Sequence, residues 1–148
     1  MLVDVMAPKM KKYEEILNIL RENADISMKE ISKRTGIPIT TIHNRIKKMK
    51  EEGIIKCYRA IIDPKKLGYN VQAFVQLAVK GLDDEKIKKL TSLQNVVECY
   101  VVSGPHNVIM KVNAENIDSL NNFVDSQLRT KDWISEITVE IIMNVAKE

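Results

Sequence analysis

The stretch SMKEISKRTGIPITTIHNRIKKMKEEG, from Ser27 to Gly53, decides the fold of the N-terminal half. Ser27 is a preferred helix N-cap residue, and Glu30 three positions later completes the pattern of a capping box. Ile26 and Ile31 flank this start as a hydrophobic staple. The pattern therefore predicts a helix that begins directly after Ser27.

A tight turn separates this helix from a second one. Gly36 supplies the left-handed residue that ends the first helix, and Pro38 presets the backbone for the second, over about 38–52. At ~100° per residue, four apolar side chains of the second helix fall on one stripe that packs inward. They are Ile39, Ile42, Ile46 and Met49. Two helices joined in this way form a helix-turn-helix unit.

The other side of the second helix is polar and basic. Short polar side chains near its N-terminus suit base edges in the major groove, and the later cations suit phosphates. The candidate DNA-contacting residues are Thr40, Thr41, His43, Asn44, Arg45, Lys47 and Lys48. We expect Arg45 above all to contact a base or phosphate, since Glu51 and Glu52 lie outside its i+3 and i+4 spacing. The alternative is a solvated surface helix, because helix-turn-helix patterns are degenerate.

Charge is distributed unevenly along the 148 residues. Residues 1–60 carry 13 Lys and Arg against 8 Asp and Glu, whereas residues 61–148 carry 10 against 12. The basic half thus coincides with the predicted helix-turn-helix, as binding to phosphates requires. Apolar runs are too short for a membrane span and no signal peptide is recognisable, which predicts a cytoplasmic protein. Cys57 and Cys99 stand far apart with no CxxC, so no metal site is expected. No cofactor is expected either.

The helix-turn-helix is preceded by a third helix, expected over about Lys9–Asn23. Its apolar face joins the other two helices in one small core. That core is Tyr13, Ile16, Leu17, Leu20, Ile31, Ile42, Ile46 and Met49. The run Ile54–Ile62 is dominated by β-branched residues and predicts a strand, which Asp63-Pro64 ends.

The second half alternates strands and helices in the order β-α-β-β-α-β, which is the ferredoxin-like arrangement. Strands are expected at Val71–Lys80, Val96–Ser103, Asn107–Asn113 and Ile134–Val145, with helices over about Asp84–Leu93 and Asn116–Thr130. The inward helical residues are Ile87 and Leu90, then Ile117, Leu120, Val124 and Leu128. The fold class is α+β, with a helix-turn-helix domain at 1–60, a strand end and hinge at 61–70, and the ferredoxin-like domain at 71–148.

One face of such a sheet is left without helices. Phe74, Tyr100, Ile109 and Ile142 can share it with the polar residues Gln72, Gln76, Glu98 and Thr138. Apolar side chains bordered by polar ones are typical of a protein–protein surface. The alternative is that they face the helices of their own domain, since register cannot be read from sequence alone.

The arrangement as a whole resembles the Lrp/AsnC, or feast/famine, transcription regulators. The likeness spans ISMKEISKRTGIP at Ile26–Pro38, TTIHNRIKKMKEEGII at Thr40–Ile55 and the Y-A-ID-P--LGY pattern at Tyr58–Tyr69, besides IL-NIL at Ile16–Leu20. It implies sequence-specific binding of double-stranded DNA by homodimers that often assemble into octamers. It also implies that the sheet domain mediates assembly and senses a small molecule, often an amino acid.

The resemblance further implies an effector site at the turn between the second and third strands. The family has a turn close to TG-x-x-D there, and this chain reads Ser103-Gly104-Pro105-His106-Asn107. Gly104 is kept, but the acidic residue is replaced by Asn107. A carboxylate can pair with an amino group as an ion, whereas a neutral amide can only hydrogen-bond. His106 is either an effector contact or a solvated turn residue.

No phosphate loop, nucleophile elbow or metal-ligand spacing is present, so we expect no enzymatic activity.

Two other functions compete with DNA-binding regulation. A small-molecule-sensing regulatory subunit of an enzyme is the alternative, although it leaves the three N-terminal helices without a role. Single-stranded RNA binding by the sheet is a third possibility, and it would rely on Phe74 and Tyr100 for base stacking.

Overall fold

A computed structural model describes the backbone of residues 8–147 and the side chains of residues 11–147. The chain divides into two compact units between Ile61 and Ile62. Residues 1–7 and Glu148 lie outside the described residues. No helix within the described part of the chain is long and apolar enough to cross a membrane.

The first unit contains three α-helices preceded by a 3₁₀ helix. The 3₁₀ helix spans Pro8–Tyr13, and the α-helices are α1, Glu14–Glu22, α2, Met28–Thr35, and α3, Ile39–Glu51. The expectation of a continuous α-helix from Lys9 is therefore wrong, because the first turns are wound more tightly. Such 3₁₀ turns are common at helix N-termini.

The ends of α2 follow the sequence prediction with one exception. The Ser27 hydroxyl oxygen accepts a hydrogen bond from the Glu30 amide at 3.2 Å, and Gly36 ends the helix at a φ of 70°. The reciprocal half of the predicted capping box is absent, because the Glu30 carboxylate instead binds the Arg34 guanidinium at 3.1 Å. Ile26 and Ile31 pack into the same core, as the staple predicts.

All eight residues predicted for the core of this unit pack into one cluster. The prediction that Ile39 faces inward is wrong, because its side chain is 47% exposed. Ile39 is the first residue of α3 and does not join the packed cluster of this unit. Ile42, Ile46 and Met49 are buried and fix which side of α3 faces the core.

The predicted strand over Ile54–Ile62 is wrong, because this stretch of the described chain forms no β-ladder and begins with a bend at Ile54 and Ile55. Ile54 and Ile55 pack against the three-helix core, and the Ile55 amide donates to the Met49 carbonyl at 3.1 Å. Ile61 and Ile62 are exposed. A β-branched composition favours extended backbone but needs a neighbouring strand to form a ladder.

The second unit is a four-stranded antiparallel sheet with helices. The strands are β1, Val71–Val79, β2, Val96–Val101, β3, Val108–Ala114, and β4, Ile134–Ile141, and the spatial order is β2-β3-β1-β4. Helix α4, Asp84–Thr91, connects β1 to β2, while α5, Ile117–Phe123, continues as a π-helical turn over Val124–Leu128 before β4. A short 3₁₀ helix at Pro64–Leu67 precedes the sheet. The predicted β-α-β-β-α-β order is confirmed, although β2 and β4 end at Val101 and Ile141, before the predicted Ser103 and Val145.

The helices cover one face of this sheet. Its core contains alternating residues of β1 and β3 with Leu90, Leu120 and Leu128 from the helical segments. Ile117 is 54% exposed, so its predicted inward position is wrong, and Phe123 is buried in its place. Ile117 is the first residue of α5, where a side chain extends past the packed part of the helix.

The strand register places seven of the eight predicted residues on the face without helices. The eighth, Ile142, directly follows β4, and its amide donates to the Gln72 carbonyl at 2.9 Å. Phe74 lies opposite Lys111 and Glu140, and Ile109 lies opposite Tyr100. Residues of β1 with the other parity, such as Val75, are buried in the core. The alternative that the residues face their own helices is therefore excluded for the seven that lie within the strands.

Candidate nucleic-acid interface

Helix α3 presents a continuous polar side to solvent. Thr40, Asn44 and Lys47 are exposed, and the opposite side of the helix is fully buried at Ile42 and Met49. Gly36 and Pro38 place the start of α3 immediately after the turn, because a left-handed residue and a fixed φ reverse the chain within three residues. A helix with an exposed polar side of this kind can enter a major groove.

The two flanks of α3 differ from each other. His43 is exposed on one flank, and Thr41 is half-buried on the other. Arg45 is also half-buried, and its Nη1 donates a hydrogen bond to the Lys12 carbonyl oxygen at 2.9 Å. Part of its donor capacity is therefore already engaged within the protein. Sequence reasoning missed this contact, because the two residues are 33 positions apart and no pattern links them.

The later lysines of α3 pair with acids one turn onward. Lys47 lies 3.9 Å from a Glu51 carboxylate oxygen, and Lys48 lies 3.8 Å from one of Glu52. All four side chains are largely exposed. Exposed pairs of this kind contribute about 0.2–1 kcal/mol, so a DNA phosphate can displace the carboxylates. Glu51 and Glu52 thus pair with lysines and leave the Arg45 guanidinium to the Lys12 carbonyl.

In the second unit, the turn between β2 and β3 is tied to the neighbouring strand through Asn107. The Asn107 side-chain oxygen accepts from the Val79 amide at 2.8 Å, and its Nδ2 donates to the Val79 carbonyl at 2.9 Å. The Val102 amide donates to the Asn107 carbonyl at 3.0 Å and closes the turn. Both polar groups of the Asn107 side chain are hydrogen-bonded to the backbone of Val79. Sequence reasoning considered only that this side chain is neutral, and it therefore missed its structural role.

The rest of the turn lies near β4. Gly104 has a φ of 125°, which favours glycine. His106 is half-buried, and its Nε2 lies 3.5 Å from a Glu136 carboxylate oxygen of β4, without hydrogen-bond geometry. Ser103 and Pro105 are exposed. The turn thus brings together a small accessible loop, an imidazole and a carboxylate at one end of the sheet.

Comparison with protein families matches both units. Residues 14–56 match a winged helix-turn-helix DNA-binding model, and residues 72–148 match the Lrp/AsnC ligand binding domain. The chain is 35% identical to the HTH-type transcriptional regulator FL11 of Pyrococcus furiosus, over 91% of this chain and 89% of that protein. It is also 35% identical to the regulatory protein AsnC of Escherichia coli, over 86% of each.

Solved structures agree with these matches. The structure of E. coli AsnC aligns with a TM-score of 0.77 at 33% identity and covers 90% of this chain and 91% of that one. The NMB0573/L-Met complex from Neisseria meningitidis aligns with a TM-score of 0.84 at 19% identity, over 93% and 92% of the two chains, and shows the same fold.

The chain joins a helix-turn-helix with an exposed polar helix face to a ligand-binding sheet domain. This combination defines a DNA-binding transcriptional regulator. This chain belongs to the Lrp/AsnC family of such regulators.

Proposed function

We propose that two copies of this chain read a pseudo-palindromic DNA site by placing α3 in successive major grooves, whose centres lie ~10 base pairs apart. Thr40 and Asn44 face base edges, and His43, Lys47 and Lys48 face the phosphates. The single observation that carries the proposal is the exposure of Thr40, Asn44 and Lys47 on a helix that buries Ile42, Ile46 and Met49 on its other side.

Selection of bound sequences from random DNA tests this proposal. A specific reader enriches one two-fold-related motif, and Asn44→Ala relaxes the preference at one base pair of each half-site by about 1–3 kcal/mol. Asn121→Ala is the matched control, because Asn121 is exposed on α5 in the other unit. Uniform binding to every duplex, unchanged by Asn44→Ala, would overturn the proposed mode of recognition.

The face of the sheet without helices supports association between copies. Phe74 and Tyr100 are 38% and 51% exposed on it, with Ile109 and Ile142 beside them. An apolar face bordered by polar side chains is stabilised when a second copy covers it. We propose a homodimer formed through this face that assembles further, to an octamer. Sedimentation equilibrium measures the mass directly, and a monomer at micromolar concentration contradicts the assembly.

The turn at residues 103–107 supports an effector site in the ligand-binding unit. Since Asn107 is bound to the Val79 backbone, we assign effector contacts to Ser103, Gly104, Pro105 and His106. A carboxylate from β4, that of Glu136, lies beside this turn. Titration calorimetry with a panel of amino acids tests the site, with L-methionine first because the Neisseria relative is a complex with it. In this proposal the chain is a cytoplasmic regulator without catalytic activity of its own.

A further inference from the structure

The last turn of the 3₁₀ helix lies against the flank of α3. The contact is the hydrogen bond from Arg45 Nη1 to the Lys12 carbonyl oxygen, at 2.9 Å. Tyr13, the next residue, is 2% exposed and packs in the three-helix core. The backbone at residues 12 and 13 is therefore held at two points, by a guanidinium on one side and by a buried ring on the other.

The flank that receives this turn adjoins the polar side of α3. At ~100° per residue, Arg45 lies about 100° around the helix from Asn44, and Lys48 lies between the two. Lys48 is exposed. The surface thus continues from Asn44 through Lys48 and Arg45 to the 3₁₀ turn without crossing the apolar side of the helix.

The turn itself adds two cations to this surface. Lys11 and Lys12 are both exposed, and the Lys12 ammonium lies 4.7 Å from the centroid of the Tyr13 ring. At an exposed site such a contact contributes about 0.5–1 kcal/mol, so it favours this position of the Lys12 side chain and leaves the ammonium accessible. Both lysines precede the residues 14–56 that match the winged helix-turn-helix model. They therefore extend the basic surface beyond the matched module.

We propose that Lys11 and Lys12 form a second set of DNA-phosphate contacts, held beside the recognition helix by Arg45. This inference rests on the proposed function of α3. Arg45 is a positioning residue in this arrangement, since its guanidinium orders the turn that carries the two lysines. Phosphate contacts add affinity and fix orientation but carry no sequence information. The lysine pair should therefore strengthen binding to all duplexes alike.

The salt dependence of binding by the full-length protein tests the lysine pair. The double variant Lys11→Gln/Lys12→Gln removes two phosphate contacts per bound protomer, so the slope of log K against log salt should become less steep by about 0.9 for each. For each lost contact, the affinity at 0.1 M salt should fall about eightfold more than the affinity at 1 M salt does. Fluorescence anisotropy on a selected site and on a scrambled duplex should show the same change.

The matched control is Lys65→Gln/Lys66→Gln. These adjacent lysines are also exposed, lie in the other unit and give the same change in net charge. Equal slopes for the two double variants would overturn the inference, because the effect would then be one of net charge. An unchanged slope for the Lys11/Lys12 variant would also overturn it and leave the role of α3 intact. No binding to any duplex by the unaltered protein would reject both proposals.

A measurement without DNA tests the role of Arg45. Arg45→Met removes the donor to the Lys12 carbonyl, and a lost hydrogen bond of this kind should raise the population of the opened turn about fivefold. Tryptic cleavage after Lys11 and Lys12 should accelerate to the same extent, with Arg45→Lys in between, while circular dichroism shows the helices intact. Unchanged cleavage in Arg45→Met would show that the guanidinium does not hold the turn.

Discussion

Replacing Asn107 by alanine should destabilise the sheet unit by about 2–3 kcal/mol, because two hydrogen bonds to the Val79 backbone are lost and both backbone groups are left unpaired. The bonds are 2.8 and 2.9 Å long and part-buried. Val79 itself is 6% exposed, which limits the access of water to the orphaned groups. The decrease in the free energy of unfolding should therefore be larger than that caused by losing one exposed hydrogen bond.

Urea unfolding followed by the fluorescence of Trp133 measures this loss. Trp133 is the single tryptophan of the chain and packs against the core of the sheet unit, so its emission reports on that unit. Asn95→Ala serves as the comparison, since Asn95 donates one part-buried side-chain hydrogen bond, to the Asn113 carbonyl at 2.9 Å. Its cost should be about half as large.

Asn107→Asp separates the two roles of the amide. A carboxylate can still accept from the Val79 amide, but it cannot donate to the Val79 carbonyl and is repelled by it. The variant should be destabilised at neutral pH and regain stability in acid, where the protonated carboxyl can donate. Stability equal to the unaltered protein for both Asn107→Ala and Asn107→Asp would refute the assignment of Asn107 as a structural bridge.

Two further predictions concern stability. The Tyr13 hydroxyl is buried and has no hydrogen-bond partner among the described residues. Tyr13→Phe should therefore leave the free energy of unfolding of the helical unit unchanged or raise it by up to about 1 kcal/mol. Thermal circular dichroism measures the change, and a loss of stability would contradict the prediction. The pKa of Asp83 is lowered from its ordinary value of 3.8, mainly by hydrogen bonds from Lys86, so its contribution to stability is present above that value and is lost as the pH falls through the lower folded-state pKa. Urea unfolding between pH 5 and pH 2 should show a smaller acid-induced loss for Asp83→Asn than for the unaltered protein.

The sequence alone determined the three α-helices of the first unit, the order of elements in the second unit and most of the core. Helical periodicity identified the eight core residues of the first unit because each helix buries one stripe, and the four strands of the sheet were predicted in their correct order. Its failures at Ile39 and Ile117 share one cause. Both are first residues of helices, where the periodic pattern continues but the neighbouring elements no longer cover the side chain.

Only the tertiary structure decided which groups meet across long distances in the sequence. The contact of Arg45 with Lys12 and the bridge from Asn107 to Val79 join residues that no spacing rule connects. The run Ile54–Ile62 shows that composition alone does not make a strand. Its residues favour one, but a β-ladder needs a second backbone to pair with. Local sequence fixes the conformation a segment prefers, whereas its hydrogen-bond partners depend on where the rest of the chain brings donors and acceptors.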